Sequence, residues 1–292
     1  MSATAAEREA QLEWERRRAP LAAGGAAAAA ILPMAGAIWI AALTADDRST
    51  ELTGRLLFVD AHAAEMAAGM VLQGLGALAL ILPLRYLHRA TAFRREAPRL
   101  AGPLTVLAPL LYCLGLVGFQ VALSIQADAF AATAGRTYEE AKDLFEAPAI
   151  SAIRYVGLMA QFAMGATFVL VALHAMRSGL LTRFMGYLGV IVGALFVIPL
   201  LGGGPPVVQS FWLVALAALF LRRWPSGVPP AWEEGREVRW PTRQEMIEQA
   251  QREGDGAAAP VAEPEPAPAA GPSPRARTRS AAGRKRKRKK RR

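Results

Sequence analysis

The chain has 292 residues, of which 53% are hydrophobic and 20% are charged, and its formal net charge is +10. The apolar residues fall into about six blocks, several of which reach the roughly 20 residues that a helix needs to cross a bilayer, so a soluble protein is excluded. The single cysteine, Cys113, also excludes an intrachain disulfide and a zinc site built from cysteines.

The positive charge belongs to the C-terminal part of the chain. Residues 1–221 contain 16 Lys/Arg and 15 Asp/Glu, whereas residues 222–292 contain 18 and 9. The apolar body is therefore nearly neutral, and the tail is basic.

The N-terminal residues 2–19 mix acidic and basic side chains and predict a short cytoplasmic helix that ends near Pro20. The apolar block 21–43 follows as the first span. A cleaved signal peptide is the rival interpretation, but the length of the block and the acidic residues of its leader disfavour it. Its small residues predict close contact with another helix: Gly25, Ala29 and Gly36.

Five further spans are predicted in chain order: 60–84, 102–126, 150–176, 184–201 and 206–221. The loop before the fourth span is acidic. In it, Thr137-Tyr-Glu-Glu140 has the capping-box pattern and predicts a short surface helix that ends at Glu146. The Gly-Gly-Gly-Pro-Pro sequence at 202–206 predicts a tight turn into the sixth span.

The distribution of Lys and Arg predicts the orientation. Lys and Arg number four in segment 2–19, five in segment 85–101 and two in segment 177–183. The tail then begins with Arg222 and Arg223. The intervening segments carry two, two and none: 45–59, 127–149 and 202–206. By the positive-inside rule, both termini are predicted to be cytoplasmic.

We therefore predict an all-α fold, a polytopic bundle of six transmembrane helices with a disordered basic cytoplasmic tail. The predicted parts are a cytoplasmic segment, a transmembrane domain, a juxtamembrane segment and a disordered tail: 1–19, 20–222, 223–253 and 254–292. The juxtamembrane segment is predicted to contain a short helix from Thr242 to about Arg252.

The last nine residues, 284–292, are all Lys or Arg. Such a run is attracted to an anionic lipid surface, and nucleic acid or the ribosome would attract it equally well. A solvated tail that only favours a cytoplasmic location is a third interpretation. The sequence does not identify a protein partner or an oligomeric state.

Ionisable residues open the second span, in Asp60-Ala-His62-Ala-Ala-Glu65. On a helical wheel, His62 and Glu65 face the same side, while Asp60 faces the opposite side at the water boundary. Arg154 and Gln161 share a stripe of the fourth span in the same way.

In the predicted topology, Glu65 lies roughly 8 Å below the outer boundary, Arg154 roughly 5 Å and Gln120 about 9 Å. We therefore hypothesise an ion pair between Glu65 and Arg154. With His62, Gln120 and Gln161 they form a candidate intramembrane polar cluster. The cluster either fixes the register of the helices or lines an outward cavity that binds a solute or relays a proton.

Metal and haem sites are weaker alternatives. His62, Met66 and Met70 recur at four-residue spacing and could present soft ligands to copper, while His88 and His174 would be the haem ligands. The methionines are better explained as a ridge that packs against another helix. His88 and His174 are better explained as residues near the lipid head groups. No hydrolase, metalloprotease or nucleotide-binding motif is present in the sequence. We predict no catalytic residue, no metal and no cofactor.

The segment Ser178-Gly-Leu-Leu-Thr-Arg-Phe-Met-Gly-Tyr-Leu-Gly189 opens the fifth span. It resembles a segment of uncharacterised bacterial multi-pass membrane proteins, Gly-Leu-Leu-x-Arg-x-Leu-Gly-Tyr/Trp-Leu-Gly, with Met185 where leucine is usual. The resemblance implies a bacterial inner-membrane protein and assigns no catalytic residue. From the residues themselves, Arg183 is an interface anchor, and Gly186 and Gly189 allow close packing.

Two classes of function fit these features. The first is a non-enzymatic membrane scaffold or accessory protein whose ends recruit cytoplasmic partners. The alternative is a small-solute or proton-linked transporter that uses the polar cluster of the outer leaflet.

Overall fold

The computed structural model describes residues 4–45, 51–197, 206–225, 227–238, 247–248 and 251–252. Each regular element bounded within these ranges is an α-helix: α1 Ala5–Leu43, α2 Leu52–Ala61, α3 Ala63–Ala79, α4 Ile81–Arg94, α5 Ala101–Ala132, α6 Tyr138–Phe145, α7 Pro148–Arg177, α8 Arg183–Val197, α9 Val207–Phe220 and α10 Ala231–Glu234.

Four helices are long and apolar enough to cross a membrane: α1, α3 together with α4, α5 and α7. The helices α8 and α9 are apolar but shorter, with 15 and 14 residues. Large apolar side chains lie on the outside, for example Leu114 at 54% and Ile125 at 63% exposure. Such a surface suits lipid rather than water. The predicted all-helical chain with membrane-length helices is therefore confirmed for the described residues.

The apolar helices pack in a ring that follows their order in the chain. α1 contacts α3 and α4, both of these contact α5, and α5 contacts α7. α7 then packs against α8, α8 against α9, and α9 returns to α1. As a result, α5 lies between α3 and α7, and this placement decides which polar residues can meet.

Helix α1 continues through Pro20, where the sequence predicted a helix end. It begins at a capping box, in which the Glu7 backbone N–H donates to the Thr4 hydroxyl and the Thr4 backbone N–H donates to the Glu7 carboxylate. It runs for 39 residues. At 1.5 Å per residue this is about 58 Å, far more than a bilayer needs. A proline leaves one helical carbonyl unpaired, but packing of the first turns against α4 keeps the helix continuous through Pro20.

The predicted second span differs at both ends. Its start is broken at His62, whose φ of −123° and ψ of 28° separate α2 from α3. Its end runs on through α4 to Arg94, ten residues beyond the predicted limit at Leu84. Much of the predicted cytoplasmic loop 85–101 is therefore helical.

The end of the bundle at which α5 finishes carries α2 and α6. A small apolar core there is formed by side chains of these helices: Leu56, Val59, Leu123, Ala127, Phe130 and Ala141. The predicted capping box is present, since the Thr137 side chain accepts from the Glu140 backbone N–H and the Glu140 carboxylate accepts from the Thr137 backbone N–H.

The opposite end contains the first turns of α1, the last turns of α4 and the turn between α7 and α8. We call it the arginine-rich end. In the turn, Gly179 has a φ of +79°, which ends α7 in the left-handed conformation that glycine adopts at little cost. The two leucines that follow, Leu180 and Leu181, are buried. The segment that resembles bacterial membrane proteins is thus a helix-ending turn and the first turns of α8.

Glycines allow the closest helix contacts. A Cβ atom added to Gly165 of α7 would lie 2.6 Å from the carbonyl oxygen of Gly193 in α8. The predicted contact of α1 is confirmed at Gly36, which lies against the backbone of Gly69 in α3. Gly189 packs against Ala172 in the same way, as the sequence predicted.

The chain divides into two compact units, residues 1–240 and 241–292. In the second unit the structure describes residues 247–248 and 251–252, which are helical, with Arg252 4.0 Å from Glu248. The predicted turn at 202–205, the start of the predicted helix at Thr242, the linker and the polybasic run 284–292 lie outside the described residues.

Candidate functional site

In the described part of the chain, no hydrogen bond or ion pair joins any two of the five residues of the predicted polar cluster. His62 lies at the break between α2 and α3, where its Nδ1 is 3.1 Å from the carbonyl oxygen of Phe58 and its ring stacks on the Phe58 ring at 4.3 Å. Glu65 is exposed, and its backbone carbonyl accepts a hydrogen bond of 3.1 Å from the Trp39 indole of α1. The His62 ring is therefore held by its own helix turn, and Glu65 is held to α1 through its backbone carbonyl.

Gln120 is the buried member of the cluster, with 2% exposure. Its Nε2 donates to the Ser124 hydroxyl of its own helix over 3.3 Å, so these two residues share a face of α5. Cys113, on the same helix, packs against Gly74 of α3. The polar face of α5 is thus closed by contacts within α5 and with α3.

Arg154 and Gln161 lie on α7. Arg154 is exposed, and its guanidinium carbon is 5.9 Å from the centroid of the Phe145 ring. Gln161 is half-buried. Among the described residues, no ion pair joins Glu65 to Arg154, and no hydrogen bond joins any two of the five. The hypothesised ion pair is absent there because α5 stands between α3 and α7.

A buried ion pair does exist, at the arginine-rich end. Arg94 of α4 and Glu15 of α1 are 0% and 3% exposed at their side chains. Arg94 Nη2 donates to Glu15 Oε2 over 2.9 Å, and Nη1 donates to Oε1. Gln11 Nε2 also donates to Oε1 over 2.9 Å. The carboxylate is therefore held by three charge-assisted hydrogen bonds, two from Arg94 of α4 and one from Gln11 of its own helix, α1.

The guanidinium of Arg94 also binds two backbone carbonyls. Its Nε and Nη2 donate to Ala231 of α10 over 3.0 and 2.8 Å, and Nη1 donates to Ala90 over 2.9 Å. A guanidinium has five N–H donors, and the carboxylate and carbonyls use all five. An arginine and a carboxylate can be buried together only when their remaining hydrogen bonds are made in this way.

Aromatic rings pack around the ion pair. Tyr86 donates its hydroxyl to the Glu15 carbonyl over 3.1 Å. Its ring stacks on Trp232 at 5.7 Å with an interplanar angle of 10° and meets Phe220 of α9 edge-on at 4.8 Å. Arg94 lies over the Trp232 ring at 5.7 Å. The rings exclude water from the charges, which strengthens their interaction.

Trp232 also ties α10 to the far side of the ring of helices. Its Nε1 donates to the Leu180 carbonyl over 2.9 Å, in the turn between α7 and α8. We call Glu15, Tyr86, Arg94 and Trp232 the α10 clamp. It connects α1, α4 and the α7–α8 turn to α10, so α10 is fixed to the bundle.

The clamp was not predicted from the sequence. Glu15 and Arg94 lie in the segments 2–19 and 85–101, which were predicted to be cytoplasmic, and Trp232 lies in the predicted juxtamembrane segment 223–253. The available signal was the tryptophan content of these segments, since Trp14 and Trp232 are large apolar side chains in otherwise charged surroundings. A tryptophan in such a segment is usually buried against something.

His88 and His174 line one narrow space between α4, α5 and α7. His174 Nδ1 lies 2.8 Å from the Leu170 carbonyl of its own helix. The space has no room for a water molecule, so it does not fit a haem. Within the described residues, no three His, Cys, Asp or Glu side chains are grouped so as to hold a metal ion.

Comparisons with models of protein families, with curated proteins and with solved structures found no match. The function is therefore inferred from the geometry of the chain itself.

Proposed function

We propose that the chain is a six-span integral protein of the bacterial inner membrane, with both termini in the cytoplasm, and that it acts as a non-enzymatic scaffold or accessory protein. The α10 clamp is the observation that carries this proposal. All five N–H donors of its buried Arg94 are used by the chain itself, so they serve to fix α10 and leave no donor for a substrate.

Six spans are supported by the ring of helices. The shorter helices α8 and α9 occupy the fifth and sixth places, between α7 and α1. At 15 residues, the described part of α8 is about 22 Å long, and residues 198–205 connect it to α9. The excess of arginine at one end of the bundle supports a cytoplasmic position for that end.

The resemblance of the segment 178–189 to bacterial multi-pass membrane proteins supports the inner membrane as the location. The polybasic run 284–292 would bind acidic surfaces in the cytoplasm, which are anionic lipids, nucleic acid or the ribosome.

The topology can be tested by labelling single cysteines in intact cells. Cys113 is the single cysteine, so Cys113→Ala gives a cysteine-free background. Glu9→Cys and Arg99→Cys should react with an impermeant maleimide only after permeabilisation, while Glu139→Cys should react without it. Labelling of Glu9→Cys in intact cells would overturn the proposed orientation.

The scaffold role can be tested with the full chain in nanodiscs of zwitterionic lipid. We expect binding to anionic vesicles, RNA or ribosomes, measured by cosedimentation, and we expect it to be lost when the basic residues of 284–292 are replaced by glutamine. Glu65→Gln is the control and should bind normally. If the tail variant binds all three as the unaltered chain does, the scaffold role is wrong.

A transporter remains the second candidate, because the helix is broken at His62, three residues before Glu65. Broken helices surround the binding sites of many transporters. The rate of proton entry can be measured with the protein in liposomes that contain a pH-sensitive dye. A proton-linked transporter would raise this rate above that of protein-free liposomes, and Glu65→Gln would lower it. A scaffold would give the same proton leak as liposomes that lack the protein.

A further inference from the structure

A groove with three arginines runs between α1 and α4 at the arginine-rich end. Its cavity has a volume of about 280 Å³. Arg18 of α1 and Arg85 and Arg89 of α4 line one part, and Leu21, Ile81 and Leu82 line the part towards the apolar blocks. We call this the arginine groove. It is separate from the polar cluster and from the buried ion pair of the α10 clamp.

The helical period explains why the groove has a charged part and an apolar part. Arg18 and Leu21 are three residues apart on α1, and Arg85 follows Leu82 by three residues on α4. Residues at this spacing share a face of a helix. The charged parts of the two faces therefore lie side by side, as do the apolar parts.

The charges of the groove are not neutralised by the described part of the chain. All three arginines are exposed, and none of them forms an ion pair with a described carboxylate. Arg89 is instead held by the Trp14 ring, whose centroid is 4.3 Å from its guanidinium carbon. A positioned guanidinium without an anionic partner is suited to binding phosphate.

A second cavity, of about 530 Å³, shares Arg85 and Arg89 and extends towards the first turns of α5. The two arginines therefore stand between two open spaces, where they can be approached from either side. In this they differ from Arg94, whose side chain is fully buried.

We propose that the arginine groove binds an anionic phospholipid, with the phosphate on Arg18, Arg85 and Arg89 and an acyl chain along Leu21, Ile81 and Leu82. This rests on the proposed membrane topology, which places the groove at the boundary of the inner leaflet. A phospholipid matches both parts of the groove, whereas a soluble phosphate would leave apolar side chains such as Leu21, 50% exposed, uncovered. Basic pockets between helices at this boundary are suited to such head groups.

The test is native mass spectrometry of the full chain in detergent, titrated with phosphatidylglycerol and, separately, with phosphatidylethanolamine. We expect phosphatidylglycerol to bind more tightly, and we expect Arg85→Gln/Arg89→Gln to weaken that binding by about tenfold or more. The matched control is Arg291→Gln/Arg292→Gln, which removes the same charge from the tail and should keep the tightest site. Arg85→Gln alone serves as a second variant, because it leaves the contact between Arg89 and Trp14 in place.

Three results would overturn the proposal. Equal weakening in the tail control would show attraction to net charge, and equal binding of the two lipids would show a general lipid contact. Displacement of the lipid by glycerol phosphate at the same concentration would show a site for a soluble phosphate. The labelling of Glu9→Cys tests the membrane topology independently of lipid binding. If Glu9→Cys is labelled only after permeabilisation but phosphatidylglycerol does not bind preferentially, the lipid site is wrong and the topology stands.

Discussion

Arg94 and Glu15 are 79 residues apart in the chain, yet they form a buried ion pair that joins α4 to α1 and, through the Ala231 carbonyl, to α10. The pair is shielded by Tyr86 and Trp232. Because both charges have left water, their hydrogen bonds and mutual attraction must replace the lost hydration. The stability of the arginine-rich end therefore depends on both partners being present.

Replacing one partner should destabilise the protein strongly. We expect Glu15→Gln or Arg94→Gln to lower the free energy of unfolding by about 3–5 kcal/mol, because each leaves a buried group without its partner. In the double variant the loss should be smaller than the sum of the single losses by about 2 kcal/mol or more. Unfolding by titration with a denaturing detergent, followed by circular dichroism, measures these values.

The exposed pair of Glu13 and Arg17 is the matched control for this cycle. It joins the same residue types on α1, but its side chains are 62% and 72% exposed. Its coupling should stay below about 1 kcal/mol. A coupling for Glu15 and Arg94 no larger than that of the control would show that burial does not strengthen the pair.

Trp232 should control access to the segment after α9. In Trp232→Ala the stacking on Tyr86 and the hydrogen bond to Leu180 are both lost, so α10 should detach from the bundle. Limited trypsin digestion, followed by mass spectrometry, should then cut after Arg236 several times faster than in the unaltered chain. Arg95→Gln is the control, since it removes only the exposed ion pair with Glu237 and leaves the residues around the cleavage site unaltered, and its cleavage rate after Arg236 should change little. Equal rates in Trp232→Ala and the unaltered chain would mean that α10 is not held by this side chain.

The close crossing of α7 and α8 should not tolerate a larger side chain. Gly165→Val places atoms against the backbone of Gly193, and we expect it to lower the free energy of unfolding by about 1–3 kcal/mol. Gly24→Ala is the control, because a Cβ atom at Gly24 has no neighbour within 4 Å. This control should be neutral or slightly stabilising. If Gly165→Val is as stable as Gly24→Ala, α7 and α8 can move apart at little cost, and the close crossing does not contribute to stability.

The sequence predicted those parts of the fold that depend on neighbours in the chain. The capping box at Thr137 and Glu140 follows from spacing alone. The end predicted at Pro20 was wrong, because packing of Trp14 and Glu15 against α4 outweighs the local preference of proline.

The contacts between distant helices could not be predicted in this way. A helical wheel places Glu65 and Arg154 on faces of their own helices, but it does not show that α5 lies between them. The partner of Glu15 was equally hidden, because several exposed arginines at the same end were available to it. Burial selected Arg94, and burial depends on the packing of the whole bundle.

The separation of Glu65 from Arg154 gives a last prediction. Since α5 keeps their side chains apart, the losses in free energy of unfolding of Glu65→Gln and Arg154→Gln should add within about 0.5 kcal/mol in the double variant. Each single loss should also be small, because both residues are exposed. The same detergent titration measures all three values, with the cycle of Glu15 and Arg94 as the reference for a coupled pair. A coupling of 1 kcal/mol or more, by the scale of buried pairs, would restore the ion pair that the sequence suggested and would make the polar cluster the stronger candidate site.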